Sequence, residues 1–184
     1  MKEFVNTILI GMAHRNTIAK YAVGLDRYVG LLIVLAAASL GMAIFMPIAT
    51  VESFRGLTGT FAILDAIKAL YVNQDMGGMA ILFLAGILWP VLSLSIAFDL
   101  WYKHPVQEAK FLKNAPRIRF FGRMWFMLAL LVVGFVYVIQ FEAGGKVHLP
   151  IYFLLLSVIL QKLCITRIQG LLDRIQFEEV EENE

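Results

Sequence analysis

The sequence predicts an all-α membrane protein with four transmembrane helices and a small outer, periplasmic strand-plus-helix element between the first two. Of its 184 residues, 60% are hydrophobic and 16% are charged, and the mean hydropathy is +0.76. A soluble domain is about 45–50% apolar. The apolar residues are concentrated in four runs, each about as long as the roughly 20 residues that cross a bilayer core as a helix. These runs are 28–46, 77–98, 124–141 and 150–166.

A third observation orients the chain. The connection 99–123 carries six Lys and Arg residues against two acidic ones. Short loops rich in Lys and Arg beside a span stay in the cytoplasm. Both termini are therefore expected in the cytoplasm, because only Arg55, Lys68 and Lys146 of the 16 Lys and Arg residues then lie outside. The six basic residues are Lys103, Lys110, Lys113, Arg117, Arg119 and Arg123.

Residues 1–27 precede the first span and alternate between apolar and basic character. Phe4, Ile8, Met12 and Ile18 recur at roughly helical spacing, with basic residues between them. This pattern predicts a cytoplasmic amphipathic helix on anionic lipid. A frayed, solvated arm is the alternative.

The first span, 28–46, contains no charge and is rich in small residues, which let helices approach closely in a bilayer. Pro47 opens a polar stretch whose Thr, Val and Phe residues favour an extended strand over 47–56. Leu57 to Thr60 is interpreted as a turn. Thr60 is then the expected N-cap of a helix over 61–72, which has an apolar stripe at helical spacing.

The second span, 77–98, contains Trp89 and Pro90 near its middle. Pro90 has no backbone N–H to donate and is expected to kink the helix, with Ser93 placed to bond a freed carbonyl. The kink is either purely structural or part of a functional hinge or polar cavity. In the basic connection that follows, Pro105 and Pro116 argue against one continuous helix.

The last two spans, 124–141 and 150–166, are joined by a short outer loop. Lys162 lies near the inner end of the fourth span, where its long side chain can reach the interface. Residues 169–184 form an acidic cytoplasmic tail that ends in FEEVEENE and is expected to be disordered.

The sequence argues against an enzyme, a cofactor and a metal site. A bis-histidine haem needs axial ligands inside the helix bundle, yet His14, His104 and His148 all lie outside the predicted spans. Cys164 is the single cysteine, so no intrachain disulfide and no multi-cysteine metal site can form. The basic connection is expected to meet lipid headgroups rather than nucleic acid.

Several segments together resemble the paraquat-inducible protein A family over about residues 28–168. The corresponding elements are Met46-Pro47-Ile48, Val51-Glu52-Ser53, the outer helix from Ile63 to Leu70, Trp89 to Leu94, and Gly122-Arg123. The chain differs from the family's usual pattern by having Ser93 in place of an intramembrane Lys and apolar residues around Leu128 in place of an Asp. It also has one module and no cysteine-rich zinc ribbon.

The resemblance implies an integral protein of the inner membrane of a Gram-negative bacterium. Its expected role is to load or receive phospholipid in envelope lipid transport or membrane homeostasis, with a mammalian-cell-entry (MCE) domain protein as periplasmic partner. It also implies a four-helix module with a small outer β-containing element, similar to the claudin and tetraspanin-like group. The resemblance also makes the family's intramembrane Lys and Asp candidates for ion coupling, and this chain has neither of them.

Two hypotheses remain open on the sequence alone. In the first, the chain handles membrane lipid, and an MCE-domain protein, a second membrane subunit or a second copy of the chain is its partner. In the second, it is a structural or regulatory membrane subunit that moves nothing, which the scarcity of intramembrane charge favours. The candidate residues for lipid or partner binding are Pro47, Glu52, Phe54, Asp65, Trp89, Pro90, Ser93 and Arg123.

Overall fold

The computed structural model describes residues 16–54 and 57–181, with side chains through residue 174. Four of its helices are long and apolar enough to cross a membrane, as expected of a multi-pass membrane protein. Each predicted span overlaps one of them, which confirms four long apolar helices in the predicted order. The first to fourth long helices are Gly24–Phe45, Met76–Lys103, Ala109–Glu142 and Pro150–Arg174.

The described residues pack into two compact units. One, called here the sheet unit, comprises residues 36–54, 57–92 and 125–159. The other, the basic unit, comprises residues 16–35, 93–124 and 160–181 and contains most of the described Lys and Arg residues. Each of the four long helices contributes residues to both units.

The sheet unit contains three antiparallel strands, β1 (Ala49–Phe54), β2 (Leu57–Phe61) and β3 (Lys146–Val147), in the order β2-β1-β3. Thr50 of β1 lies opposite Thr60 of β2 and Lys146 of β3. A strand followed by a helix was predicted here. The structure corrects this to a small sheet that also takes its third strand from the loop before the fourth long helix.

The predicted turn from Leu57 to Thr60 is wrong, because these residues belong to β2. Leu57 is buried with Leu70 in the small core of this unit, and β-branched Thr58 and Thr60 suit a pleated strand. Thr60 is therefore not a helix N-cap. The short helix Ile63–Val72 begins after Ala62, which has no side-chain oxygen to cap it.

The third strand depends on two glycines that precede it. Gly144 has a φ of +59°, a left-handed conformation that glycine adopts without steric cost. A Cβ at Gly145 would overlap the carbonyl oxygen of Thr50. The Gly144-Gly145 pair thus lets the loop approach β1 closely enough for β3 to pair with it.

The second long helix contains four consecutive segments. They are the α-helical Met76–Phe83 and Trp89–Phe98, each followed by a π-helical turn, at Leu84–Leu88 and Asp99–Lys103. The first π turn ends just before Trp89 and Pro90. Because the Pro90 ring would collide with the carbonyl four residues back in a regular α-helix, the wider turn gives it room and the helix continues.

The third long helix is α-helical over Ala109–Tyr137 and ends in a π turn at Val138–Glu142. The connection 99–123 is not one continuous helix, as predicted, because it is interrupted around Pro105, but Pro116 lies within the third long helix and does not interrupt it. Phe111 and Ile118 lie two turns apart on the same face and are both buried. The free energy gained by burying these two side chains exceeds the cost of the one backbone hydrogen bond that is missing at the exposed Pro116.

The N-terminal part of the basic unit is not one helix. Ile18–Tyr21 and Gly24–Tyr28 form short 3-10 turns, and Thr17 pairs with Pro105 in a β-bridge. The rest of the predicted amphipathic arm, residues 1–15, lies outside the described residues.

The fourth helix continues without a break from Pro150 to Glu181. It therefore passes the predicted end of the span at 166 and runs through most of the segment interpreted as a tail. Buried Ile165, Ile168, Leu171 and Leu172 recur at helical spacing in the core of the basic unit, and this packing extends the helix.

Candidate functional site

A cavity of about 670 Å³ lies entirely within the sheet unit. This volume falls in the range of about 300–1,000 Å³ typical of small-molecule sites. The walls come from β1 and Ile48 before it, β2, the short helix, the N-terminal part of the second long helix, the C-terminal part of the third, and Leu154 of the fourth.

Every residue that lines this cavity is apolar. No side chain there can donate or accept a strong hydrogen bond, so the cavity offers dispersion contacts and exclusion of water. The third long helix supplies the largest share of the lining. Its lining residues are Phe126, Met127, Leu128, Leu130, Leu131, Val132, Gly134, Phe135, Val138 and Ile139.

The cavity is open to the protein surface. Ile81, Phe126 and Leu130 line it and are also largely exposed. The most apolar stretches of the second and third long helices are only 28% and 17% buried, against 44% for the first and fourth. The two long helices that contribute most of the cavity lining are therefore the two that the rest of the protein covers least.

Two π-helical turns form part of the cavity wall. Ala85 and Gly86 come from the π turn Leu84–Leu88, and Val138 and Ile139 from the π turn Val138–Glu142. π turns are rare and are frequently found at functional sites. Here both widen a helix where its side chains meet the same cavity.

The sheet covers one side of the cavity with its apolar face. Ala49 and Val51 of β1 line the cavity, whereas Thr50 and Glu52 alternate with them and do not. Thr50 Oγ1 lies 2.8 Å from Thr60 Oγ1 and 2.7 Å from His148 Nε2. The sheet thus separates an apolar face from a polar, hydrogen-bonded one.

Among the predicted site residues, Phe54 lines the cavity. The register of β1 against β2 shifts between Val51 and Phe54. Such a bulge changes the side to which the next side chains point, and it explains how Phe54 reaches the same side as Val51.

The other predicted residues of the sheet unit lie outside the cavity lining. Pro47, Glu52 and Asp65 are exposed, Trp89 is half-buried, and Pro90 is fully buried. Asp65 lies on the outer surface of the short helix, next to Lys68.

The remaining two predicted residues, Ser93 and Arg123, belong to the basic unit. Ser93 is 3% exposed and donates a hydrogen bond from Oγ to Oε1 of Gln161, at 2.5 Å. Arg123 is exposed near the start of the apolar part of the third long helix. The eight predicted residues are therefore divided between the two units.

A buried carboxylate in the basic unit was not singled out from the sequence. Asp26 is 7% exposed and contacts two arginines of the fourth helix. Its Oδ1 lies 3.4 Å from Nη1 of Arg167 and its Oδ2 lies 3.8 Å from Nη1 of Arg174. This arrangement ties the turn Gly24–Tyr28 to the fourth helix.

The lining contributed by the third long helix was also missed. A uniformly apolar span gives no sign of which face meets lipid, a neighbouring helix or a cavity. The available signal was Gly134, because a glycine in the middle of a span leaves open space, and nothing lies within 4 Å of a Cβ built there.

Metal-binding chemistry is not apparent in the part of the chain that the structure describes. There, no three His, Cys, Asp or Glu side chains come together as metal ligands. Cys164 is buried as a free thiol.

Comparison with known protein families, with curated proteins and with solved structures finds no match to this chain.

Proposed function

We propose that this chain is a multi-pass protein of the bacterial inner membrane that handles phospholipid in envelope lipid transport or membrane homeostasis. The observation that supports the proposal is the open, wholly apolar cavity of the sheet unit. A protein that moves lipid without chemically changing it needs an apolar site that is accessible from the bilayer. The proposed role is not enzymatic.

The physical argument concerns the acyl chain. Each methylene of a lipid chain is worth about 0.8 kcal/mol when it leaves water for an apolar environment. Lipid tails are as apolar as leucine side chains, so a chain can pass from the bilayer into this cavity with little change in free energy. Such a site can therefore take up and release lipid while shielding the chain from water.

The charge distribution supports an orientation with both termini in the cytoplasm. Among the described residues, the sheet unit contains the cations Lys68 and Lys146, and the other Lys and Arg residues lie in the basic unit. Since basic segments beside spans stay in the cytoplasm, the proposal places the sheet and the cavity toward the periplasm.

The resemblance to the paraquat-inducible protein A family supports the choice of partner. Within this proposal, an MCE-domain protein in the periplasm exchanges lipid with the sheet unit, and a second membrane subunit or a second copy of the chain completes the assembly. Glu52 and Thr50 lie on the polar face of the sheet, where such a partner has access to hydrogen-bonding groups.

The alternative is a structural or regulatory membrane subunit that does not move lipid. One specific feature favours it: no charged residue occurs between Met76 and Phe98 or between Met124 and Phe141. Ion-coupled transporters usually have ionisable groups at membrane depth. Under the lipid-handling proposal, the driving force must therefore come from a partner or from the lipid gradient.

The deciding experiment is affinity purification of the full chain from native membranes in mild detergent, with proteins and lipids identified together. Co-purification of an MCE-domain protein with phospholipid enriched over the bulk membrane supports lipid transport. A different membrane partner with lipid of bulk composition supports the regulatory subunit and overturns the proposed function.

A further inference from the structure

We infer that the cavity holds one acyl chain of a membrane lipid and leaves its headgroup outside, so that the site recognises the chain and is indifferent to the headgroup. This inference rests on the proposed function and specifies how lipid is bound. It predicts that phospholipids with the same chains and different headgroups bind equally.

The first argument is chemical. A phosphate or glycerol headgroup needs hydrogen-bond donors or a cation, because burying a polar group without partners is costly. The cavity lining contains neither a polar nor a charged side chain. A headgroup inside it would be unpaired, whereas an alkyl chain would make dispersion contacts with the apolar side chains of the walls.

The second argument is size. A methylene group is about as large as a water molecule, which occupies about 30 Å³ in the liquid, so 670 Å³ accommodates roughly 20 such groups. This corresponds to one long acyl chain. The inference therefore places one chain in the cavity and leaves the second chain of a diacyl lipid in the bilayer.

The third argument is access. Ile81 on the second long helix and Phe126 and Leu130 on the third are exposed and line the cavity. They lie in uncharged helix stretches that are long and apolar enough to cross a membrane. A chain can therefore enter sideways from the hydrocarbon region while its headgroup remains at the interface.

Gly134 provides a variant that adds a side chain at the cavity lining without an overlap at its Cβ. It lines the cavity, and nothing lies within 4 Å of a Cβ built on it. Gly41, also in the sheet unit, has equally open surroundings but does not line the cavity. Gly134→Leu and Gly41→Leu therefore form a matched pair, and Ala85→Leu enlarges a lining side chain on the second long helix.

The test is native mass spectrometry of the purified full chain after delipidation. The protein is then reconstituted with an equal mixture of phosphatidylethanolamine and phosphatidylglycerol that share palmitoyl-oleoyl chains. The wild type and Gly41→Leu should retain one lipid per chain, with both headgroups equally represented. Retention should fall about tenfold or more in Gly134→Leu and Ala85→Leu, because a filled cavity must be overpacked to admit a chain.

Three results overturn the inference. A strong preference for one headgroup shows that the headgroup is bound, and it leaves the lipid-handling proposal standing. Retention in both cavity-filling variants at the wild-type level shows that lipid binds elsewhere. If the wild type retains no lipid, the cavity is not a chain-binding site. The proposed function is overturned as well only when native purification yields no MCE-domain partner and no enriched phospholipid.

Discussion

Ser93 donates a hydrogen bond to Gln161 across two long helices, with 2.5 Å between Ser93 Oγ and Gln161 Oε1. Both side chains are at most 5% exposed. Ser93 comes from the second long helix and Gln161 from the fourth, and both belong to the basic unit. The contact therefore joins the two helices through neutral side chains.

Removing this contact should weaken the basic unit moderately. Hydrogen bonds between helices in a bilayer contribute on average about 0.6 kcal/mol and at most about 1.7 kcal/mol, so Ser93→Ala is expected to cost about 1 kcal/mol. Unfolding in detergent of Ser93→Ala, Gln161→Leu and the double variant forms a double-mutant cycle. A coupling energy indistinguishable from zero would show that the contact does not stabilise the helix pair.

The same serine variant, together with Glu52→Ala, tests whether these two predicted residues take part in lipid transport. Ser93 and Glu52 lie in different units, and neither lines the cavity. If the chain transports lipid and these residues take part, cells carrying either variant should lose detergent resistance at normal protein levels. A scaffold should tolerate both. Full resistance in every such variant argues against transport through these residues.

Substitutions of the two arginine partners of Asp26 should have non-additive effects on the free energy of unfolding. Its side chain is 9% exposed, whereas those of Arg167 and Arg174 are 54% and 70% exposed. Replacing one arginine with Gln should cost less than about 1 kcal/mol, because partly exposed pairs are weak and the other arginine remains. Replacing both leaves a buried charge without an arginine partner and should cost about 3 kcal/mol or more.

Thermal unfolding of the two single variants and the double variant, in one detergent and at one salt concentration, measures this response. Asp26→Asn is the control, because it removes the charge and leaves the two exposed arginines in water. It should therefore be milder than the double arginine variant. Strict additivity of the two arginine effects would contradict the shared-partner arrangement.

The long helices could be predicted from the sequence because length and hydropathy determine them almost alone. The sheet could be predicted only in part. Thr50 and Val51 mark β1, but β3 pairs with β1 from far along the chain, and only the three-dimensional arrangement brings Lys146 beside Thr50. Pro116 misled because local helix-breaking chemistry was weighed without the burial of Phe111 and Ile118.

The candidate site was harder to predict than the fold. Phe54 was identified and lines the cavity, but aromatic residues of the third helix such as Phe126 and Phe135 were not. Polar and charged residues stand out in an apolar sequence and drew attention to Glu52, Asp65 and Arg123. A cavity made only of apolar side chains has no such marker, because its lining has the same composition as a lipid-facing surface.

Two glycines of the third long helix should respond oppositely to alanine. A Cβ at Gly122 would lie 2.9 Å from Cγ2 of Ile165 and would also displace the Gln169 amide, which donates to the Ile118 carbonyl at 3.3 Å. Gly122→Ala should therefore destabilise the protein by about 1–2 kcal/mol through overpacking. Gly134→Ala meets no atom and should stabilise it by about 0.5–1 kcal/mol through helix propensity.

Unfolding midpoints of the two variants, measured side by side, test this difference in sign. Both substitutions remove the same backbone freedom on the same helix, so each is the control for the other. If Gly122→Ala were as stabilising as Gly134→Ala, the close approach of Gly122 to the fourth helix would be refuted.

The proposed orientation can be tested by cysteine labelling, because the native thiol is shielded. Cys164 is fully buried and should give little background. Lys68, on the short helix of the sheet unit, and Lys113, on the third long helix in the basic unit, are both exposed. Lys68→Cys and Lys113→Cys therefore report on the two units with matched side chains and similar accessibility.

With a maleimide that cannot cross the inner membrane, added to cells whose outer membrane has been permeabilised, Lys68→Cys should react and Lys113→Cys should not. Both should react after lysis. The reason is the positive-inside rule, which keeps the basic connection around Lys113 in the cytoplasm. Labelling of Lys113→Cys alone before lysis would show the opposite orientation, with the cavity toward the cytoplasm. Labelling of neither would place both units in the cytoplasm.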